Sequence, residues 1–369
     1  MLAGIQSLQA TFPHDELVRV AVSKKIAKLT LDSNGIVVAS EEGKPLIMRD
    51  QGTVHSTVIG RTGGFEIDGR LYDHHVLSIS SSSGIITVGG KKKLRSPLYL
   101  IQNRANKKDH RFLLVSALPL NQYLYGLINK EMIPSWPLEA KKAMAVAART
   151  YTLFRKLNPP SRYYDLSDTA IDQVYGGFDS EDSSARLAVE QTRGEVLTFD
   201  HFPVEAYYHS TCGGHTASAN AVWGKDLPYL AGHTCNYCKS SRRYSWKVTI
   251  SAKEIAKALK LPSGAAGSLK ISIKKKAKSG HTQKILVRYG SDSKVWKAEK
   301  FRSRIGYQRL WSTNFTVKKK GSSFVFNGHG SGHGVGLCQW GAYGMAKAGK
   351  NYREILDFYY PGTEIRKVE

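Results

Sequence analysis

Glycine stands at every second position from 328 to 336 in the run Asn327-Gly-His-Gly-Ser-Gly-His-Gly-Val-Gly-Leu-Cys-Gln-Trp-Gly341. In an extended chain successive side chains point to opposite faces. His329, Ser331, His333, Val335 and Leu337 then share one face, and the glycines leave the other bare. A bare face admits another backbone or a ligand at close range. No G-x-G-x-x-G register is present and no Gly-Lys-Ser/Thr follows, so the run is neither a dinucleotide fingerprint nor a phosphate loop. A tight strand crossing and a two-histidine functional loop both fit it.

The chain before this run divides by pattern. Residues 17–120 carry short alternating apolar stretches separated by Gly, Asn, Asp and Ser, the signature of strands and turns; the serine tract Ser78–Gly84 reads as a loop. The character changes at Asn121, which is placed as the N-cap of a helix to Lys130 with Leu124, Leu127 and Ile128 as its buried stripe. Pro134 and Pro137 break helical continuity after Glu131. A long helix is predicted over Leu138–Leu157, ended by Asn158-Pro159-Pro160. A third spans Ser183–Thr192, closed by Gly194. Strands are expected from Gly194 to Phe199 and from Val204 to His209. Ser251-Ala-Lys-Glu254 is a capping box opening a helix to Lys260. Strands at 269–274 and 284–289 follow, with two terminal helices near Gly341–Ala348 and Asn351–Tyr359. The expected fold is α+β: an antiparallel β-rich body, a helical layer carrying Glu131, and a basic β-containing subregion. The boundaries read from the sequence are 1–110, 111–238, 239–325 and 326–369, the last completing the region that begins at 111.

Charge sharpens that division. Of the net +24, residues 239–320 hold 23 basic and 3 acidic residues, or +20. Such a face gathers anionic polymers: nucleic acid, anionic lipid and the acidic bacterial wall all qualify. Nucleic acid is not expected as a partner, because no helix-turn-helix or RNA-binding motif accompanies the lysines. No stretch is apolar enough to span a membrane, and the first residues, Met1-Leu-Ala-Gly-Ile-Gln-Ser, do not read as an export signal.

Two constellations carry side-chain chemistry besides the glycine run. Glu131 is flanked by Met132, Ile133 and Trp136, and two prolines fix the backbone presenting it. Apolar surroundings favour the protonated form of a carboxyl, which is what a general acid needs near neutral pH. The other constellation is Tyr207-Tyr-His-Ser-Thr-Cys-Gly-Gly-His215 with His233-Thr-Cys235-Asn-Tyr-Cys238. Cys212, Cys235 and Cys238 with His215, or with His209 or His233, could form a structural zinc site. A disulfide from Cys212 to Cys235 or Cys238 and three ordinary buried thiols remain open beside it.

Several ordered stretches together resemble the stage II sporulation protein D (SpoIID/LytB domain) family. They include Tyr123–Tyr151 with Lys130-Glu131-Met132, Asp168–Gly177, Tyr207–Gly214 and Val222–Leu230. Gly332-His-Gly-Val-Gly-Leu-Cys-Gln-Trp-Gly-Ala342 and Tyr352–Thr363 complete the set. The resemblance covers roughly residues 110–365. It implies a peptidoglycan lytic transglycosylase that cuts between N-acetylmuramic acid and N-acetylglucosamine, on strands already stripped of stem peptides, and it places the catalytic glutamate on Glu131. Arg149, Gln173, Tyr175, Tyr208, His209, Ser210, His333 and Gln339, polar residues of the matching stretches, are expected to line the substrate groove. Glu139 and Asp168 read as surface and capping groups. Some family members carry zinc in a stretch that here reads Asp165-Leu-Ser-Asp-Thr-Ala-Ile-Asp-Gln173, without Cys or His, so that site is expected to be missing. No cofactor is required for the chemistry. Glycan strands are the expected partner, with a peptidoglycan amidase and the anionic envelope surface as further ones, and the expected location is periplasmic or wall-facing. A non-catalytic wall-binding protein or amidase enhancer is the competing reading.

Overall fold

The computed structural model describes residues 17–102, 109–169 and 172–368. The N-terminal segment read for an export signal lies outside these residues, as do Ala170 and Ile171 of the stretch compared with the family's zinc site. The architecture is mixed α+β with a large, mostly antiparallel sheet. The chain forms two compact units. One takes in residues up to Ser135, Ala148–Val196 and the chain from Lys367; the other takes in Trp136–Ala147 and Leu197–Arg366.

The first unit is built on an eleven-stranded sheet. Leu17–Ile26 pairs antiparallel with Phe112–Pro119, which pairs with Leu98–Gln102 and so on through Val76–Ser80, Lys28–Ala39 and Pro45–Arg61. One pairing is parallel, that of Leu166–Ser167 with Leu17–Ile26. Leu98–Gln102 is buried at every position, so both its faces are covered and its sequence shows no polar alternation. Val18, Val20, Leu31, Val58, Phe65, Leu77, Leu100 and Leu114 fill the core. A buried ion pair crosses it: Arg19 Nη2 lies 2.6 Å from Asp165 Oδ1, and the Arg19 amide donates to Asp165 Oδ2 at 2.8 Å.

The strand Phe112–Pro119 runs straight into the helix Leu120–Glu131, which starts one residue earlier than the sequence suggested. Asn121 is therefore not the N-cap. Pro119 holds that position in extended backbone, with no side-chain cap. The expected stripe of Leu124, Leu127 and Ile128 is buried, joined by Tyr123 and Gly126. The helix Ser183–Gln191 is capped by the Asp182 side chain, which accepts from the Ala185 amide at 2.7 Å. The serine tract is only partly loop: Ser78–Ser80 belong to the strand Val76–Ser80, since Leu77 and Ile79 provide its buried face.

The second unit has its own core around the basic region. Ser245–Ser251, Ser323–His329 and Phe315–Lys320 form one antiparallel sheet; Lys270–Lys276, Thr282–Tyr289 and Asp292–Lys297 form another. Trp246, Ile250, Ile255, Leu259, Ile285, Val287, Trp296, Phe301, Phe315 and Phe326 pack between them and the helices Ala252–Leu259 and Ala298–Ile305. The capping box at Ser251 and Glu254 is formed in both directions. Along Lys270–Lys276 Ile271 and Ile273 turn inward, while Lys270, Lys274, Lys275 and Lys276 face solvent. Four of the region's 23 basic residues thus form the outer face of an ordinary amphipathic strand. The strand expected over Val204–His209 shrinks to Tyr208–His209, paired in parallel with Leu337–Cys338.

Candidate functional site

The glycine run is not extended. Gly330, Gly332, Gly334 and Gly336 have φ of 78°, 106°, 84° and 70°, the left-handed region that side chains other than glycine rarely enter. The shared face predicted for His329 to Leu337 therefore does not form: His329 is exposed, while Val335 and Leu337 are buried. The expected close approach is present. A Cβ on Gly336 would lie 2.0 Å from the Tyr207 carbonyl oxygen, and one on Gly330 would lie 2.6 Å from that of Thr211. The run thus winds against residues 207–217, with bridges from Thr211 to Ser331 and from Ala217 to Val335. Gly336→Ala is expected to lower the free energy of unfolding by about 2 kcal/mol or more through backbone strain and overlap. Urea denaturation of the variant against the parent chain measures it.

This winding brings together Tyr208, His209, Ser210, His333 and Gln339, all in the second unit. His209 and His333 have ring centroids 5.6 Å apart, and Trp223 and Tyr207 flank His333 at 5.1 and 6.1 Å. His209 is buried, and its Nδ1 is 3.0 Å from the Val335 carbonyl oxygen. Burial, with His333 beside it, lowers its pKa to about 3, and burial lowers those of His333 and His281 to about 4. All three are neutral at pH 7. A histidine whose folded pKa is depressed gains protons on unfolding, so its contribution to stability is present above about pH 6.5 and is lost as pH falls toward 4. Unfolding free energy is expected to decline across that window, and less steeply in His281→Phe. Equal slopes for the two chains in urea melts between pH 7 and pH 4 would contradict this.

Glu131, Arg149, Gln173 and Tyr175 lie in the first unit. Glu131 closes the helix Leu120–Glu131 and is half-buried. Its Oε1 accepts the Val174 amide at 2.8 Å, which fixes the direction the carboxyl faces. The segment supplying that amide is itself anchored. Gln173 is fully buried; its Oε1 accepts from Tyr123 at 3.0 Å and Thr152 at 2.9 Å, and its Nε2 donates to the Ala148 carbonyl. The next amide, of Tyr175, donates to Asp168 Oδ1 at 2.7 Å, and Asp168 also pairs with Lys92. Asp168 is thus an anchor for this segment rather than a cap. Gln173 and Tyr175, both fully buried, position the carboxyl's partner from within the core. Arg149 is buried as well and donates to the carbonyls of Val189 and Glu195 at 3.1 Å each, which makes it a brace and not a groove residue. The apolar flank expected around Glu131 is partial: Met132 is buried, but Ile133 is 45% exposed. Glu139, read as a surface group, ties Lys142 at 2.7 Å and the Tyr352 amide at 2.8 Å.

The cysteines also depart from the sequence expectation. The Sγ atoms of Cys212, Cys235, Cys238 and Cys338 all lie within 4.8 Å of one another, and all four residues are buried. Cys338, at the end of the glycine run, takes the fourth place given to His215, whose Nδ1 is engaged by the Thr216 carbonyl at 2.7 Å. Spacing along the chain could not show this, since Cys338 is 126 residues from Cys212. In the basic region a cavity of about 550 Å³ is lined by Trp223, His281, Tyr307 and four lysines, Lys275, Lys284, Lys297 and Lys300.

Comparison with known proteins places the chain in a family. The model for "Stage II sporulation protein" (SpoIID) matches residues 108–199, and a domain of unknown function, DUF8618, matches residues 225–336. The chain belongs to the stage II sporulation protein D family. It is 31% identical to stage II sporulation protein D of Bacillus subtilis, over 69% of this chain and 76% of that one. It is 38% identical to an uncharacterized protein of Brachyspira hyodysenteriae, over 69% and 68% respectively. It is 30% identical to the amidase enhancer of Bacillus subtilis, over 93% of this chain but 58% of that protein. Among the described residues no helix is long and apolar enough to cross a membrane.

Proposed function

We propose that this protein cleaves peptidoglycan glycan strands as a lytic transglycosylase, with Glu131 as its acid and base. The observation that carries the reading is the Glu131 carboxyl, oriented by the Val174 amide on a segment locked by the buried Gln173. A held carboxyl of this kind can both give and take a proton at one place. Glu131, protonated, donates to the glycosidic oxygen as the bond from C1 of N-acetylmuramic acid to the N-acetylglucosamine oxygen breaks. The sugar's own C6 hydroxyl attacks C1, and its proton returns to the Glu131 carboxylate. One C–O bond breaks and one forms, the proton count closes, and neither water nor the second carboxylate of ordinary glycosidases is used. The scheme calls for no cofactor.

Tyr208, Ser210 and His333, the partly exposed members of this group, are proposed to contact the glycan, with the buried His209 and Gln339 supporting them. The neutral state of His333 suits hydrogen bonding to uncharged sugar hydroxyls. The lysine-rich face and its cavity suit the acidic groups of the wall, which sets the proposed location on the wall side of the envelope. Binding to isolated sacculi should then weaken at least several-fold between about 0.05 and 0.5 M salt, because exposed charges are screened; a pull-down across that range measures it.

The name of the amidase enhancer relative favours a second reading, in which the chain binds the wall and assists an amidase. Sacculi with and without stem peptides separate the two. Soluble glycan fragments released from stripped strands by this protein alone support cleavage. Release from neither substrate, with amidase turnover raised by adding the protein, supports the enhancer.

A further inference from the structure

The proposed cleavage chemistry gives the four cysteines no part in proton transfer. The cluster's dimensions suit a tetrahedral thiolate site. Zinc bound by four thiolates has Zn–S distances of about 2.3 Å, which puts the sulfurs about 3.8 Å apart. The four Sγ atoms here fall within 4.8 Å of one another, with Cys212 and Cys238 at 3.4 Å. A single buried cysteine packs as a small hydrophobe, but four sulfurs converging from three separate segments within 4.8 Å match the ligand set of a thiolate metal site. As thiolates they need a cation, because like charges at this range cannot all ionise alone.

The surroundings supply what a metal-bound sulfur needs. Main-chain amides point at the sulfurs: Cys212 N–H to Cys338 Sγ at 3.2 Å, and Gly341 N–H to the same sulfur at 3.3 Å. Cys338 is the N-cap of the helix Gln339–Lys347, so its sulfur sits at that helix's positive end. The Tyr359 hydroxyl is 3.2 Å from Cys235 Sγ. Glycines make room for this. A Cβ on Gly341 would come within 3.1 Å of Cys235 Sγ, and one on Gly344 within 2.0 Å of the Tyr237 carbonyl inside the C-x-x-C turn. Cys212 follows the strand Tyr208–His209, and Cys338 ends the strand paired with it.

We propose that Cys212, Cys235, Cys238 and Cys338 bind one zinc ion in a closed, structural four-thiolate site. The ion clamps the Cys235–Cys238 turn and the end of the glycine run onto the segment Tyr207–Cys212. Through the pairing of His209 with Cys338 it holds Tyr208, His209, Ser210 and Gln339 in place. With all four positions filled by protein, the ion takes no part in catalysis.

The full chain, purified under anaerobic conditions without added reductant or a metal-affinity tag, is expected to carry one zinc per chain by elemental analysis. Its thiols should stay unreactive until chelator and denaturant are added together, when four appear. Cys338→Ser should lose most of the metal. To keep the test independent of that variant's folding, the parent chain is also exchanged with cobalt(II), which should give the visible bands of tetrahedral thiolate coordination. Glu131→Gln should keep its zinc in full, which separates this site from the cleavage reaction. Stoichiometric iron, four thiols that react without chelator, or no thiols after unfolding without reductant would each overturn the proposal; the last would mean two disulfides.

Discussion

Glu131→Gln should lower the rate of glycan cleavage by roughly a thousandfold or more, with the fold and melting behaviour of the parent chain. The rate expectation follows from what a positioned acid and base contributes, on the order of 10²–10⁴-fold; here one group serves both steps. The fold expectation follows from the hydrogen bond. Glutamine keeps an Oε1 that can accept the Val174 amide, now 2.8 Å from the carboxylate. Only the transferable proton is lost. A Gln173→Ala variant should behave differently. It leaves the acid in place but removes the acceptor of Tyr123 and Thr152, so it should cost stability and also loosen the carboxyl's orientation. Turnover of stripped glycan strands and thermal melts for the two variants separate the roles. Parent-like activity in Glu131→Gln would end the catalytic assignment.

Removing one partner of the core ion pair should be the most damaging single change to stability. Arg19 and Asp165 are almost completely buried. Arg19 also donates Nη1 to the Arg162 carbonyl at 2.8 Å, so the pair fastens Leu17–Ile26 to the segment leading into Leu166–Ser167. Asp165→Ala leaves a guanidinium in a dry core without its counter-charge, at a cost of about 3–5 kcal/mol. That approaches the whole stability of many domains. The variant is expected to unfold at a much lower urea concentration, or to express as aggregate. Replacing both residues with apolar ones of similar volume should recover part of the loss, because desolvation of the pair is then no longer required. A single variant melting like the parent would show the pair to be dispensable.

Much of this architecture could be read along the chain, and what could not has a common cause. The helix Leu138–Leu157 was legible to the residue, since its apolar spacing is sustained for five turns and prolines bracket it. The capping box at Ser251 carries its own hydrogen-bond logic and was equally plain. Glu131 was singled out by resemblance, and its hydrogen bond from Val174, 43 residues away, has no local signature in the sequence. The glycine run misled because period-two spacing marks both an extended strand and a chain that alternates into left-handed backbone, and only its neighbour decides. Cys338 escaped for the same reason. Its partners are brought to it by the parallel pairing of Tyr208–His209 with Leu337–Cys338, a contact between distant segments with no local signature. Arg149 was expected in the groove as a polar residue of a stretch matching the family, but it is buried and donates to two carbonyls, a pairing of distant segments that the sequence does not mark.

The central claim concerns what happens at C1 of the muramic acid, so the products test it most directly. Stripped glycan strands digested by the purified chain and analysed by mass spectrometry should end in 1,6-anhydro-N-acetylmuramic acid, one water lighter than a reducing end, and should gain no label when the digestion is run in ¹⁸O-water. Hydrolysed, label-bearing ends would contradict the account, since water and not the C6 hydroxyl would then have been the nucleophile.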